Sequence, residues 1–245
     1  MYNSKISYYT VKPYDTIWEL IQRYNTSIQM VTEMNPQIDL NFLQVGQVIR
    51  IRSEYNPQGC NPPTDCITKA EVNIMNVMRM LWEEHSTWTR MTIISIVFGL
   101  PDEEVVTKRL LRNPQDFANA LKPYYGDMIA SKFGQLLTAH LVIAAELVKA
   151  AKAGNSKGAA DAEKRWYENA DEIAALLGSI NPYWSQESWR VMLYEHLRLV
   201  KSEAIDMLRK DYQSGVDIYD EIEIQALEMA DMMVQGIIRQ FPNKF

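Results

Sequence analysis

The sequence of 245 residues predicts an α+β multidomain protein: a small βααβ domain, then a mostly α-helical bundle with internally repeated helical hairpins. Three observations carry this. Residues 7–52 alternate β-prone runs with helix-periodic ones. Residues 53–67 contain Asn56-Pro57-Gln58-Gly59 and Asn61-Pro62-Pro63-Thr64, which sustain no helix and read as a partly extended, stiff linker. Residues 68–245 repeat apolar side chains at three- and four-residue spacing, without strand-like alternation.

In the first domain, Ser7-Tyr8-Tyr9-Thr10-Val11 is β-prone. Asp15 suits an N-cap, and Ile17, Leu20, Ile21 and Tyr24 then share one helical face. A second helix fits 27–34 and stops at Asn35-Pro36. Val48-Ile49-Arg50-Ile51 returns as a strand.

In the second domain, Thr68-Lys69-Ala70-Glu71 forms a capping box for a helix running to about Phe98, broken at Gly99-Leu100-Pro101. Shorter helices fit 102–112 and 114–121, with a turn at Lys122-Pro123-Tyr124-Tyr125-Gly126. Long helices then fit the stretch up to Ala153, 157–179, 185–212 and 215–240. The expectation is a bundle of four or five long helices.

Composition narrows the function. Hydrophobic residues make up 47%, enough for a real core, which excludes a disordered chain. A net charge of −6 argues against a general nucleic-acid binder, which needs a basic face. Residues 1–10 lack the apolar core of a signal peptide, so cytoplasmic synthesis without a leader is expected. The apolar stretches near 91–100 and 141–151 are too short for a membrane span. Cys60 and Cys66 are too few for a zinc site by themselves and read as reduced thiols, with a small loop disulfide as the alternative.

The run Tyr9-Thr10-Val11-Lys12-Pro13-Tyr14-Asp15-Thr16-Ile17-Trp18, the turn Arg23-Tyr24-Asn25-Thr26-Ser27, Asn35-Pro36, and the close Leu43-Gln44-Val45-Gly46-Gln47-Val48-Ile49-Arg50-Ile51 occur in fixed order. Together they resemble the LysM family over about a fifth of the chain. The resemblance implies a βααβ fold that binds N-acetylglucosamine glycans, peptidoglycan or chitin, in a shallow groove. Carried onto this sequence, the groove residues are Pro13, Tyr14, Asp15, Thr16 and Ile17, with Leu40, Asn41, Phe42, Leu43, Gln44 and Val45. Backbone groups of such loops can meet the amide donor and acceptor of an N-acetyl group. The family usually has Gly where this chain has Tyr14, whose ring either stacks on a sugar or stands exposed. The helical remainder resembles poorly characterised helical proteins of Gram-positive bacteria.

The helical part repeats. Leu136-Leu137-Thr138-Ala139-His140-Leu141 matches Met192-Leu193-Tyr194-Glu195-His196-Leu197, and Leu81-Trp82-Glu83-Glu84-His85 resembles the start of a third unit. Farther on, Ala170-Asp171 and Ala230-Asp231 suggest that the offset drifts from 56 to 60 residues. The chain's three histidines, His85, His140 and His196, fall on these helices. Three readings compete: a transition-metal site made with Glu203, or with Glu146, Asp171 or Asp231; a buried hydrogen-bonded network; or three unrelated histidines. The Glu-x-x-His motif of ferritin-like di-iron sites is absent, since Trp82, Leu137 and Leu193 stand three before each His.

Elsewhere, Met75, Met78, Met80, Met91, Met229, Met232 and Met233 read as core filling. Trp82, Trp88 and Arg90 read as a cation–π cluster or simple packing, and Trp184 and Trp189 as anchors of a helix start. No phosphate loop, nucleophile elbow or His-Glu-x-x-His occurs. The expected function is noncatalytic glycan binding at the cell wall or spore envelope, with the helical part binding a partner, oligomerising or acting as a scaffold. The alternative is a metal-binding bundle carried to the wall.

Overall fold

A computed structural model divides the chain into two compact units, Met1–Cys66 and Ile67–Phe245. It describes residues 5–12, 15–24, 26–38, 40, 43–53 and 67–245. The pair Cys60 and Cys66 lies outside the described residues.

The first unit runs β1 (Lys5–Thr10), α1 (Ile17–Arg23), α2 (Ile28–Met34) and β2 (Val48–Ser53). The strands pair antiparallel, with Tyr9 opposite Ile49 and Ser7 opposite Ile51. Strand alternation puts Tyr9, Ile49 and Ile51 inside with Val11 and Leu20, while Tyr8 and Val48 face solvent. Ile17, Val31 and Leu40 form a second apolar cluster. The α2 N-terminus is capped by Ser27, whose Oγ accepts from the Met30 N–H at 3.2 Å. Buried Asn35 fastens α2 to β2. Its amide donates to the Val31 and Arg50 carbonyls at 2.7 and 2.8 Å, and its Oδ1 accepts from the Arg50 N–H at 2.8 Å.

The second unit contains α3 (Lys69–Phe98), α4 (Glu103–Leu110), α5 (Asn113–Lys152), α6 (Ser156–Ile180), α7 (Gln186–Arg209) and α8 (Tyr212–Gln240). The capping box of Thr68 and Glu71 opens α3, and Gly99 in the left-handed region (φ 63°) closes it. The stretch expected as a turn at 122–126 is helical instead. Only Gly126 leaves helical dihedrals, with φ 76° and ψ 172°, a conformation costly for any residue with a Cβ. It divides α5 into two arms, 113–125 and 127–152.

The helices pack as a closed ring: α3 on α5, α5 on α6, α6 on α7, α7 on α8, and α8 back on α3. Their inner faces form one continuous core. Met78, Met229 and Met233 are buried there, whereas Met80 and Met91 are exposed, contrary to the expectation from spacing. Trp184 anchors the start of α7 as expected: its indole N–H donates to the Met232 carbonyl at 3.1 Å, and its ring meets Trp189 edge-on. Gly236 makes this contact feasible, because a Cβ there would lie 1.9 Å from Trp184 Nε1. Among the described residues one helical run, Glu103–Lys152, is long and apolar enough to cross a membrane by length and composition, with 39% of its apolar window buried in this structure.

Candidate functional site

Two places gather the residues singled out from sequence. The first is the pair of loops flanking the small sheet. Asp15 does not act simply as a helix cap. Its Oδ2 accepts from the Tyr9 hydroxyl at 2.6 Å and from the Lys12 N–H at 2.7 Å, and Arg23 donates to the Tyr9 hydroxyl at 2.9 Å. Burial pushes the Asp15 carboxyl up, but the Tyr9 and Lys12 hydrogen bonds and the Arg23 charge outweigh it and hold it below the usual range. The opening loop is thus tied to both β1 and α1. The closing loop turns at Gly46, in the left-handed region with φ 87°. The Gly46 N–H donates to the Val11 carbonyl, and Gln47 Oε1 accepts from the Gln44 N–H.

The groove residues carried over from the family separate into three kinds. Gln44 and Val45 are exposed, with Val45 at 65%, and can touch a ligand. Asp15 and Thr16 are half-buried. The Ile17 and Leu40 side chains lie in the core, and Leu43 packs against it. They hold the loops in place and can offer a glycan only backbone groups. Pro13, Tyr14, Asn41 and Phe42 lie outside the described residues.

The second place is the centre of the helical ring. Each histidine projects inward from α3, α5 or α7 and is almost fully buried. Ring centroids of His85 lie 5.7 Å from His196 and 6.5 Å from His140. Each Nδ1 meets a side-chain amide 28 or 29 residues later: Asn113 at 3.2 Å, Asn169 at 2.9 Å and Gln225 at 3.0 Å. In every case the amide NH₂ donates to the carbonyl four residues before the histidine, at Leu81, Leu136 and Met192. The amide oxygen therefore faces the ring, so Nδ1 carries the proton and Nε2 a lone pair. His140 confirms this, since its Nε2 accepts from the Trp166 indole N–H at 3.1 Å. Burial pushes His140 down to about 3 and His196 to about 4, and pushes His85 well below the ordinary value, so all three are neutral near pH 7.

The expected ligand set His85, His140, His196 and Glu203 does not form a coordination sphere. The lone pair of His140 is spent on Trp166. Glu203 is ion-paired with Arg90, which also donates to the Gly215 carbonyl. Among the described residues no group of three or more His, Cys, Asp or Glu is placed to hold a metal ion. The buried-network reading is the one the hydrogen bonds carry. The space between the rings is about 10 Å³ with an apolar lining; Trp82 and Trp189 border it, and their buried indole N–H groups have no hydrogen-bond partner.

The cluster of Trp82, Trp88 and Arg90 does not form, while Trp82 packs in the core edge-on to Phe117. Arg90 lies over Tyr219 at 4.6 Å, and the cation over Trp88 is Arg109 at 4.8 Å. Among the described residues the carboxyls of Glu83 and Glu223 meet. Burial first, then the hydrogen bond to Glu83, raises Glu223. In direct contact the two are closer than the acids that flank a glycosidic bond, which stand at least about 5 Å apart.

The amide partners Asn113, Asn169 and Gln225 were missed from sequence, although their positions repeat at 56 residues and could have been found that way. They show three related hairpins: α3 with α4 and the first arm of α5, the second arm of α5 with α6, and α7 with α8. The offset of 56 holds to the second helix of each pair, so the drift to 60 is corrected. Asp171 and Asp231 are not equivalent: the first accepts from Tyr194, the second pairs with Arg79.

The N-terminal unit is thus a βααβ module with loop-built faces, joined in one chain to a helical repeat bundle. Residues 9–52 match the LysM domain family, so this unit carries a LysM domain, a module that binds N-acetylglucosamine-containing glycans such as peptidoglycan. No curated protein and no solved structure matches the chain.

Proposed function

We propose that this is a noncatalytic peptidoglycan-binding protein of the cell wall or spore envelope, whose helical unit serves as a scaffold or partner-binding domain. The observation that carries the reading is the LysM match over residues 9–52, on a unit with the βααβ order. The net charge of −6 supports recognition by hydrogen bonds and apolar contact over charge attraction, since walls rich in anionic polymers would repel the chain. The resemblance of the helical part to proteins of Gram-positive bacteria favours peptidoglycan over chitin. A scaffold role is supported by how the buried polar groups are used: the histidines hold amides, and Glu203 holds Arg90.

Cosedimentation tests this. The full chain should pellet with insoluble peptidoglycan, less so with chitin, and soluble N-acetylglucosamine oligomers should release it. Asp15→Ala should weaken binding by freeing the Lys12 and Tyr9 donors that fix the opening loop. Equal pelleting of a chain lacking residues 1–66 would overturn the proposal.

A further inference from the structure

The ring of helices closes where α8 packs on α3, and the outside of that seam is apolar in line. Met80, Met91 and Phe98 stand on α3 about three and about two turns apart, so they share one outward stripe. Tyr212 and Val216 stand about one turn apart on α8, and the Tyr212 ring meets that of Phe98 with centroids 6.0 Å apart. The two helices run antiparallel here, since Arg79 pairs with Asp231, Thr87 meets Tyr219 and Arg90 reaches the Gly215 carbonyl. The five apolar side chains are 39–54% exposed. Scattered apolar side chains on a surface need no cause, but a continuous row of them marks an interaction surface. Methionine suits such a surface, because its unbranched chain adapts to the shape laid on it.

The charge on the seam has one sign. From 79 to 98 on α3 and from 212 to 231 on α8, the cations are Arg79 and Arg90. Arg79 is held by Asp231, and Arg90 by Glu203 and the Gly215 carbonyl beneath Tyr219. Arg109, from α4, is held by Glu84. Glu83 and Glu223, whose carboxyls meet across the seam, and Asp220, whose charge acts on Glu223, are left without a cation among the described residues. Carboxylates crowded in this way repel, and a cation laid over them relieves the repulsion. The same charge disfavours other occupants. A second copy would set its own seam carboxylates against these, and an anionic lipid surface would be repelled.

We propose that the α3–α8 seam docks a basic amphipathic helix of a partner protein, its apolar face on Met80, Met91, Phe98, Tyr212 and Val216 and its lysines or arginines on Glu83, Asp220 and Glu223. From Met80 to Phe98 α3 rises about 27 Å, the length of a partner helix of about 18 residues. This rests on the partner-binding role given to the helical unit and names the surface and the partner's chemistry; it does not depend on glycan binding.

Fluorescence anisotropy with the full chain tests it, using a labelled synthetic amphipathic peptide of leucine and lysine, about 18 residues long, and the same peptide with glutamate in place of lysine. The expected result is saturable binding of one lysine peptide per chain, weakened at least about tenfold between about 0.05 and about 0.3 M salt, with the glutamate peptide at least about tenfold weaker. Met91→Ser with Phe98→Ser should weaken the lysine peptide by about tenfold or more, and so should Glu83→Gln with Asp220→Asn, with folding checked by circular dichroism. Met128→Ser, and Glu168→Gln with Glu172→Gln, on exposed positions of α5 and α6, should leave binding unchanged. Unweakened binding by both folded seam variants, equal affinity for the glutamate peptide, or an equal loss in the α5 and α6 variants would each overturn the proposal. So would binding of the parent chain to phosphatidylglycerol vesicles, or self-association of the chain, that the lysine peptide displaces. Peptidoglycan pelleting of the seam variants should match the parent; a parent that fails to pellet yet binds the peptide at the seam would sink the wall reading and leave the seam standing.

Discussion

Acidification should unlock the histidine layer. An unfolded histidine takes a proton near pH 6.5, whereas burial keeps His140 neutral down to about 3 and His196 down to about 4. The unfolded chain therefore binds more protons than the folded one across this range, and stability falls as pH falls. Each unit of pH below 6.5 costs about 1.4 kcal/mol per histidine until the folded value is reached. At about pH 5 this comes to about 2 kcal/mol each, or about 4 kcal/mol for the two, with His85 adding in the same direction. Glu203 acts oppositely. Burial pushes it up to about 7 against the pull of Arg90, so the folded chain gains a proton there first. A variant comparison separates the two effects. Urea unfolding followed by far-UV circular dichroism, at about pH 7.5 and about pH 5, should show that His196→Leu with Gln225→Leu loses about 2 kcal/mol less on acidification than the parent chain. Equal losses in the two proteins would refute the neutral buried layer.

Other outcomes follow from single contacts. Gly236→Ala should cost about 1–3 kcal/mol in thermal unfolding of the helical unit, because the new Cβ collides with the Trp184 indole. Arg90→Met should destabilise by about 3–5 kcal/mol at about pH 8, where Glu203 is left as a buried unpaired charge, and by less at about pH 5, where Glu203 neutralises; unfolding curves at both values check the difference from the parent. Asn35→Ala should loosen the LysM unit by about 2–3 kcal/mol, read as faster amide hydrogen exchange at Arg50, with the helical unit unchanged.

The parts legible in the sequence are those with local causes. The order strand, helix, helix, strand follows from apolar periodicity, and the start of α3 from Thr68 and Glu71. The repeated Leu and His positions placed the three histidines on equivalent helices of related hairpins, and the packing of those helices brings the rings together. What local pattern could not supply was partnership. Asp15 looks like a cap until Tyr9 and Lys12, brought close by the fold, take its oxygen. Arg90 looks like a neighbour of Trp88 along the chain, yet its partners, Glu203 and Tyr219, come from α7 and α8. The stretch Lys122–Gly126 has turn composition, but a single glycine with positive φ was enough to redirect the helix, so the turn residues before it stayed helical. Ile17 and Leu40 sit in binding-loop positions of the family pattern, and only burial shows that their side chains build the core.

The break at Gly126 also bears on how the bundle comes apart. Its two arms belong to different hairpins, one holding Asn113 against His85 and the other carrying His140. The first and second repeats are thus joined through one kinked residue, whereas the second and third are joined by the connection from Ile180 to Gln186 and by the packing of α6 on α7, where Tyr194 donates to Asp171 and Lys201 pairs with Glu163. Because the ring closes with α6 on α7 and α8 on α3, no hairpin has a free flank, and the three should come undone together instead of one at a time.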